Sequence, residues 1–184
     1  GLGERFDEAR TNEPLGQTLE ELKAKEKFFY YHHSYAGHYP FNPPDRYSKM
    51  FNGTNNSFRN YTQEKWKDIE VGTPEYRETL REYFSRIKNN SDLQDHAISE
   101  YDGEIRGWDR SLGFLLENLR ERGMMEDTII VVTSQHGTLL GEHGEWKHET
   151  LWNEAIHVPL IIKHPDSEGR KIDEYVELVD LGPT

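Results

Sequence analysis

Between residues 92 and 122, the apolar side chains Ile98, Tyr101, Ile105, Trp108, Leu112, Leu115, Leu116 and Leu119 recur mostly at spacings of three and four. That period draws one apolar stripe along a helix and commits the segment to an amphipathic helix with one face on a core. Gly123 marks its end, with Arg120 and Arg122 in the last turn, where cations suit the helix dipole. Asp127-Thr128 reads as a turn. Ile129-Ile130-Val131-Val132-Thr133 then reads as a strand, apolar without alternation, as a strand buried on both faces is. Pro159-Leu160-Ile161-Ile162-Lys163 reads as another. Helix followed by buried strand, repeated, predicts an α/β fold with a largely parallel sheet flanked by helices. Residues 129–132 are expected in the sheet interior, as a parallel strand with the long helix packed on it.

The rest of the chain is more polar. Residues 1–25 are charged and read as a solvated helix or connector, leaving residues 26–184 for the core segment. The aromatic run Phe28-Phe29-Tyr30-Tyr31-His32-His33 has β-propensity and is expected as a buried strand. Pro40-Phe41-Asn42-Pro43-Pro44 marks a loop. Residues 51–72, rich in Asn, Gly, Ser and Thr, read as a surface excursion, and Thr73-Pro74 as a capped helix start. The sequons at Asn52, Asn55, Asn60 and Asn89 read as chance in an Asn-rich stretch.

Composition excludes some functions. A formal charge of −12 argues against a general nucleic-acid binder, yet a few local cations still allow an anionic ligand. The chain has no cysteine, so disulfides, thiolate metal sites and a cysteine nucleophile are absent from it. No apolar run approaches the ~20 residues that span a bilayer. No targeting signal is visible, which leaves export and cytoplasmic residence both open.

The chemistry gathers after one strand. Thr133-Ser134-Gln135-His136-Gly137 sits at the C-terminal end of the apolar run, the edge where open α/β sheets bind ligands. Gly137 would let the backbone turn sharply beside an ion. A Gly- and His-rich loop follows, Gly141-Glu142-His143-Gly144-Glu145, leading into Trp146-Lys147-His148. A lysine there can neutralise an anionic group held against a metal. On spacing alone, an ordinary strand-to-loop turn with exposed polar side chains is the better account of the segment.

From Tyr101 to Ile162 the sequence resembles the sulfatase family of the alkaline phosphatase superfamily. The likeness lies in a helix opening near Tyr101-Asp102, a strand ending Thr133-Ser134-Gln135-His136-Gly137, the loop Gly141-Glu142-His143-Gly144, and Val158-Pro159-Leu160-Ile161. Upstream, His33-Ser34-Tyr35-Ala36-Gly37-His38-Tyr39-Pro40 resembles the family's histidine segment before a Pro-Pro loop. The resemblance implies an incomplete sulfatase-like domain spanning 1–184, truncated at both ends. It implies that His136 and Gln135 bind a divalent metal ion, Ca²⁺ first and Mg²⁺ or Mn²⁺ as alternatives. Lys147 and His38 would contact the sulfate and its leaving group, and His143 would brace the loop. His32, His33, His148, His157 and His164 have weaker claims, and Asp102 and Asp109 belong to the helix surface.

Two departures from the family pattern stand out. Gln135 replaces an aspartate, and an amide oxygen coordinates a hard cation without contributing charge. The family nucleophile, a formylglycine made from Cys or Ser in a Cys/Ser-x-Pro/Ala-x-Arg motif, has no counterpart here and is expected outside this chain. The implied reaction is hydrolysis of a sulfate ester on a sulfated small molecule or glycan, and the 184 residues alone are expected to be inactive. The alternatives are a phosphodiesterase or phosphonate monoester hydrolase on the same scaffold, or a non-catalytic binding protein. Substrate choice would rest with irregular segments such as residues 41–72.

Overall fold

The computed structural model describes residues 15–25, 27–51 and 55–182. Helices dominate: α1 (Leu15–Lys23), α2 (Asp45–Ser48), α3 (Asn56–Trp66), α4 (Pro74–Lys88), α5 (Ser91–Glu121) and α6 (Asn153–Ile156). A small sheet holds β1 (Ile130–Thr133) and β2 (Leu160–Lys163). Among the described residues no helix is long and apolar enough to cross a membrane.

Local chemistry sets the helix ends as the sequence predicts. Thr73 Oγ1 accepts from the Tyr76 amide at 3.1 Å, with Pro74 in the first turn of α4. Asn90 caps α5 through the Leu93 amide, and Gly123 stands beyond its end at φ 68°. The expected surface excursion at 51–72 is corrected: it contains α3, capped by Asn55 accepting from Phe58 N at 2.9 Å. Phe58, Arg59 and Thr62 are buried on its inner face. The sequon residue Asn55 is thus committed to a cap, Asn60 and Asn89 are exposed, and Asn52 lies outside the described residues. Most of the 1–25 connector also lies outside them; the part described is α1 and the turn after it.

The parallel sheet is corrected as well. β1 pairs with β2 antiparallel, in the register Ile130↔Lys163 to Thr133↔Leu160. Parallel neighbours need a crossover of a dozen or more residues, usually a helix. The connection between β1 and β2 is long enough to cross over, but its regular structure is a 3-10 turn, Glu142–Gly144, and the four-residue α6, with no helix long enough to cover a sheet face. Nor is β1 interior, since Val131 is exposed and its neighbours are half-buried. Lys163 ends β2 by donating to the carbonyls of Met125, Glu126 and Thr128.

The strand expected at 28–33 is irregular chain, with Phe29 63% and Tyr31 61% exposed. Its rings stack on one another two residues apart, Tyr30 on His32 and Tyr31 on His33, instead of entering the core. The main core lies where α3, α4 and α5 meet two loops. It contains Tyr39, Phe41, Phe58, Tyr83, Ile87, Ala97 and Trp146. A second cluster joins Leu19, Leu119 and Met124.

The apolar stripe read on α5 is only half covered. The fully buried face of its N-terminal half is His96, Ala97, Ser99, Glu100 and Gly103. Small and polar residues let the loop before α2 come close: a Cβ on Gly103 would stand 2.9 Å from Pro43 Cγ. Glu100, 1% exposed, is held by Ser48 Oγ and Arg59 Nη1. Arg59 Nη2 in turn donates to the Pro43 carbonyl at 2.6 Å and to Asp45 at 3.0 Å. This buried network ties α2, α3 and α5 together below the loop that carries His38.

Candidate functional site

Three loops each place one buried side chain in the core and one imidazole beside it. Tyr39 is buried against Phe84, ring centroids 4.9 Å apart, and precedes the Phe41 anchor; His38 stands next to it. Leu139 and Trp146 are buried within the segments that carry His136 and His148. Ligand atoms of His38, His136 and His148 lie within 4.8 Å of one another, and all three residues are half-buried. His136 and His148 stack with centroids 4.1 Å apart and planes 6° apart. His38 stands 6.1 Å from His136 and 5.1 Å from His148.

Hydrogen bonds fix two of the tautomers. His38 Nδ1 meets the Tyr39 carbonyl at 2.7 Å, and His136 Nδ1 meets the Gly137 carbonyl at 2.8 Å. A carbonyl only accepts, so both Nδ1 atoms carry the proton and each Nε2 of a neutral ring keeps a lone pair. His148 Nδ1 is buried without a hydrogen-bond partner, and its Nε2 is 3.7 Å from Glu149. Burial holds the His148 pKa below its usual value; Glu149 opposes this, and His136 and His38 reinforce it.

Two backbone features position His136. Gly137 donates its amide to the Ala155 carbonyl at 2.7 Å, and a Cβ there would stand 2.1 Å from the Glu154 carbonyl oxygen. The glycine therefore serves close approach of two backbones. Ser134 Oγ donates to the His136 carbonyl at 2.6 Å.

The structure thus brings together His38 and His136 of the residues singled out by sequence. Gln135 is exposed at the end of β1. Lys147 is half-buried, with its ammonium 3.0 Å from Glu145 Oε1. His143, at φ 56°, stacks on Trp152 at 3.8 Å and lies 3.4 Å from Glu154 Oε2. The third ring of the cluster is His148, which sequence reasoning had placed among weaker candidates. The signal that could have found it is its nearness in sequence to Trp146, a large apolar residue that pins the loop.

Glu104 on α5 holds the His38 loop from below, its carboxylate accepting from Gly37 N at 2.6 Å and Asn42 N at 2.8 Å. Burial pushes its pKa up from 4.5 to about 7; the two amides pull it down and nearby Glu100 pushes it up. Because the folded pKa lies above the unfolded value, the folded chain binds the extra proton between 4.5 and about 7. Stability should therefore fall as pH rises through that window, by at most about 1.4 kcal/mol per pH unit. Urea midpoints from pH 5 to pH 8 should show this decline in the wild type and a flatter profile in Glu104→Gln. Equal slopes would remove Glu104 as the cause.

Comparison with known proteins adds the lineage. A family model described as Sulfatase matches residues 4–184. Arylsulfatase K of Xenopus laevis is 30% identical over 129 residues, 69% of this chain and 24% of that protein. Human iduronate 2-sulfatase is 27% identical over 194 residues, 93% of this chain and 34% of that protein. A solved phosphonate monoester hydrolase from Silicibacter pomeroyi superposes with a TM-score of 0.51 at 22% identity, covering 70% of this chain and 27% of its own. The chain spans about a quarter to a third of the length of these proteins.

Proposed function

This chain belongs to the sulfatase family, and we propose on that basis that it is part of a metal-dependent sulfuric ester hydrolase acting on a sulfated small molecule or glycan. The observation that carries the reading is the meeting of His38 and His136, one before α5 and one after it, in a single half-buried cluster. In this reading His38 and Lys147 contact the sulfate oxygens and the leaving group, and His136 faces the metal ion with Gln135 beside it. His143 braces the loop through Trp152. The formylglycine nucleophile, supplied from outside these residues, would attack sulfur. What this chain contributes is placement and charge: imidazoles held by backbone carbonyls, and an ammonium on the adjoining loop.

The resemblance to the family implies a divalent ion, and the donors of this chain test which ion suits it. Ca²⁺ takes six to eight oxygen ligands. Among the described residues the cluster is three imidazoles, with the exposed Glu149 carboxylate 3.7 Å from His148 Nε2 and Gln135 exposed. These residues by themselves do not fit Ca²⁺.

The test is turnover by the complete protein of a chromogenic aryl sulfate against the matching aryl phosphonate monoester. The sulfatase reading expects the higher kcat/KM on the sulfate. The structural neighbour makes the reverse preference the second reading. No turnover of either would overturn both and leave a binding protein. The 184-residue chain alone, given Ca²⁺, Mg²⁺ or Mn²⁺, is expected to show no turnover above background, because covalent catalysis needs an activated, positioned nucleophile.

A further inference from the structure

We propose that Glu104 is a positioning residue for His38: its carboxylate clamps both ends of the loop that carries the ring and so sets where the imidazole stands. The proposal rests on the reading that puts His38 at the sulfate, and the clamp itself is measurable without turnover.

Gly37 and Asn42 bracket His38, Tyr39, Pro40 and Phe41. Glu104 Oε2 accepts from the Gly37 amide at 2.6 Å, and Oε1 accepts from the Asn42 amide at 2.8 Å. Between those ends Tyr39 and Phe41 are buried, and Phe41 packs on Tyr101 of α5 with ring centroids 5.4 Å apart. His38 therefore sits between a clamped residue and an anchored one. Its Nδ1 donates to the Tyr39 carbonyl, and its amide donates to the Tyr35 carbonyl at 3.0 Å. A shift of the Gly37 peptide would turn the His38 backbone and carry the imidazole with it. Gly37 itself stands at φ 83°, where other residues are strained, and a Cβ on it would meet Tyr101 and Ile105 at 3.4 Å. Tyr101, Glu104 and Ile105 of α5 are thus the seat of the loop.

The clamp needs a carboxylate of this length. Each oxygen of Glu104 takes one amide, so both acceptors are in use. A glutamine has one acceptor oxygen and turns an NH₂ group toward the other amide, donor against donor. An aspartate is one methylene short. For stability alone the residue is a poor choice. Burial raises its pKa to about 7, nearby Glu100 adds repulsion, and the two amides oppose them. A side chain that burdens the fold while fixing a site loop follows the pattern in which local stability yields to function.

The experiment is a double-mutant cycle on the complete protein with a chromogenic aryl sulfate: wild type, Glu104→Gln, His38→Ala and both together. Glu104→Gln should lower kcat by about 10- to 100-fold, the scale of a misplacement of about 1 Å, with a smaller change in KM. In the His38→Ala background the same substitution should lower it no further. A residue that merely held the fold would lower it in both backgrounds. A second readout needs no turnover. With labelled histidine, the His38 ring resonance should move in Glu104→Gln, and that of the exposed His157 should not. The proposal is overturned if Glu104→Gln turns over the ester as the wild type does, if the two substitutions multiply, or if the His38 resonance stays at its wild-type position. A wild type that turns over no sulfate ester would instead fail the sulfatase reading, and the ring resonance would then decide the clamp alone.

Discussion

Replacing Arg59 with methionine should cost the fold about 3–5 kcal/mol at neutral pH, the range for breaking a buried ion pair from one side. Glu100 is almost fully buried on α5 and faces Arg59 and Ser48. Burial already raises its pKa, with Ser48 and Arg59 holding it down. Without the guanidinium, the carboxylate keeps the Ser48 hydroxyl as its partner among the described residues, and the Pro43 carbonyl and Asp45 each lose a donor too. Urea unfolding should show the midpoint falling with little change in slope. The double variant Arg59→Met, Glu100→Leu should recover most of the loss, because the expense lies in the uncompensated charge. A single variant within about 0.5 kcal/mol of wild type, the range of an ordinary surface substitution, would mean the network contributes nothing.

Gly137→Ala should be the second most damaging change, and its damage should fall on the site. The added methyl would stand 2.1 Å from the Glu154 carbonyl oxygen and 3.1 Å from the Glu154 carbonyl carbon. Both are backbone atoms that cannot rotate away. Relief requires moving α6 away from the end of β1, which sacrifices the 2.7 Å bond from Gly137 N to the Ala155 carbonyl. Overpacking of this kind costs about 1–3 kcal/mol, or a Tm loss of about 2–4 °C per kcal/mol in a chain of this size. His136 is the adjacent residue and its ring is held by the Gly137 carbonyl, so metal retention should fall as well. Unchanged Tm and metal binding in Gly137→Ala would show that the two backbones are not packed this closely.

What the sequence made legible was largely local. The period of α5, the Thr73-Pro74 start and the Gly123 stop depend on residues a turn apart, and all three stand where they were read. The existence of β1 and β2 was also legible. Their antiparallel pairing was not, because an apolar tetrapeptide carries no record of its neighbour, and the connection between them is long enough for either sense. The run at 28–33 had strand propensity, but among the described residues no strand pairs with it, and its rings stack on one another locally. The buried face of α5 escaped an apolar count because it includes Glu100 and His96, whose polarity is met by Arg59 and Ser48 and by the Asn55 amide. At the site, the motif pointed to His136 and His38, and they meet. It pointed also to Lys147, whose ammonium pairs with Glu145, and the structure adds the next residue, His148, to the cluster.

The most direct measurement of the central claim is kcat/KM on a chromogenic aryl sulfate for the complete protein and for its His136→Ala and His38→Ala variants. If this cluster stands at the reacting sulfate, each variant should lose about 100- to 1000-fold, the range for removing one preorganised contact to developing charge. Variants that fold normally and turn over the ester at the wild-type rate would contradict it.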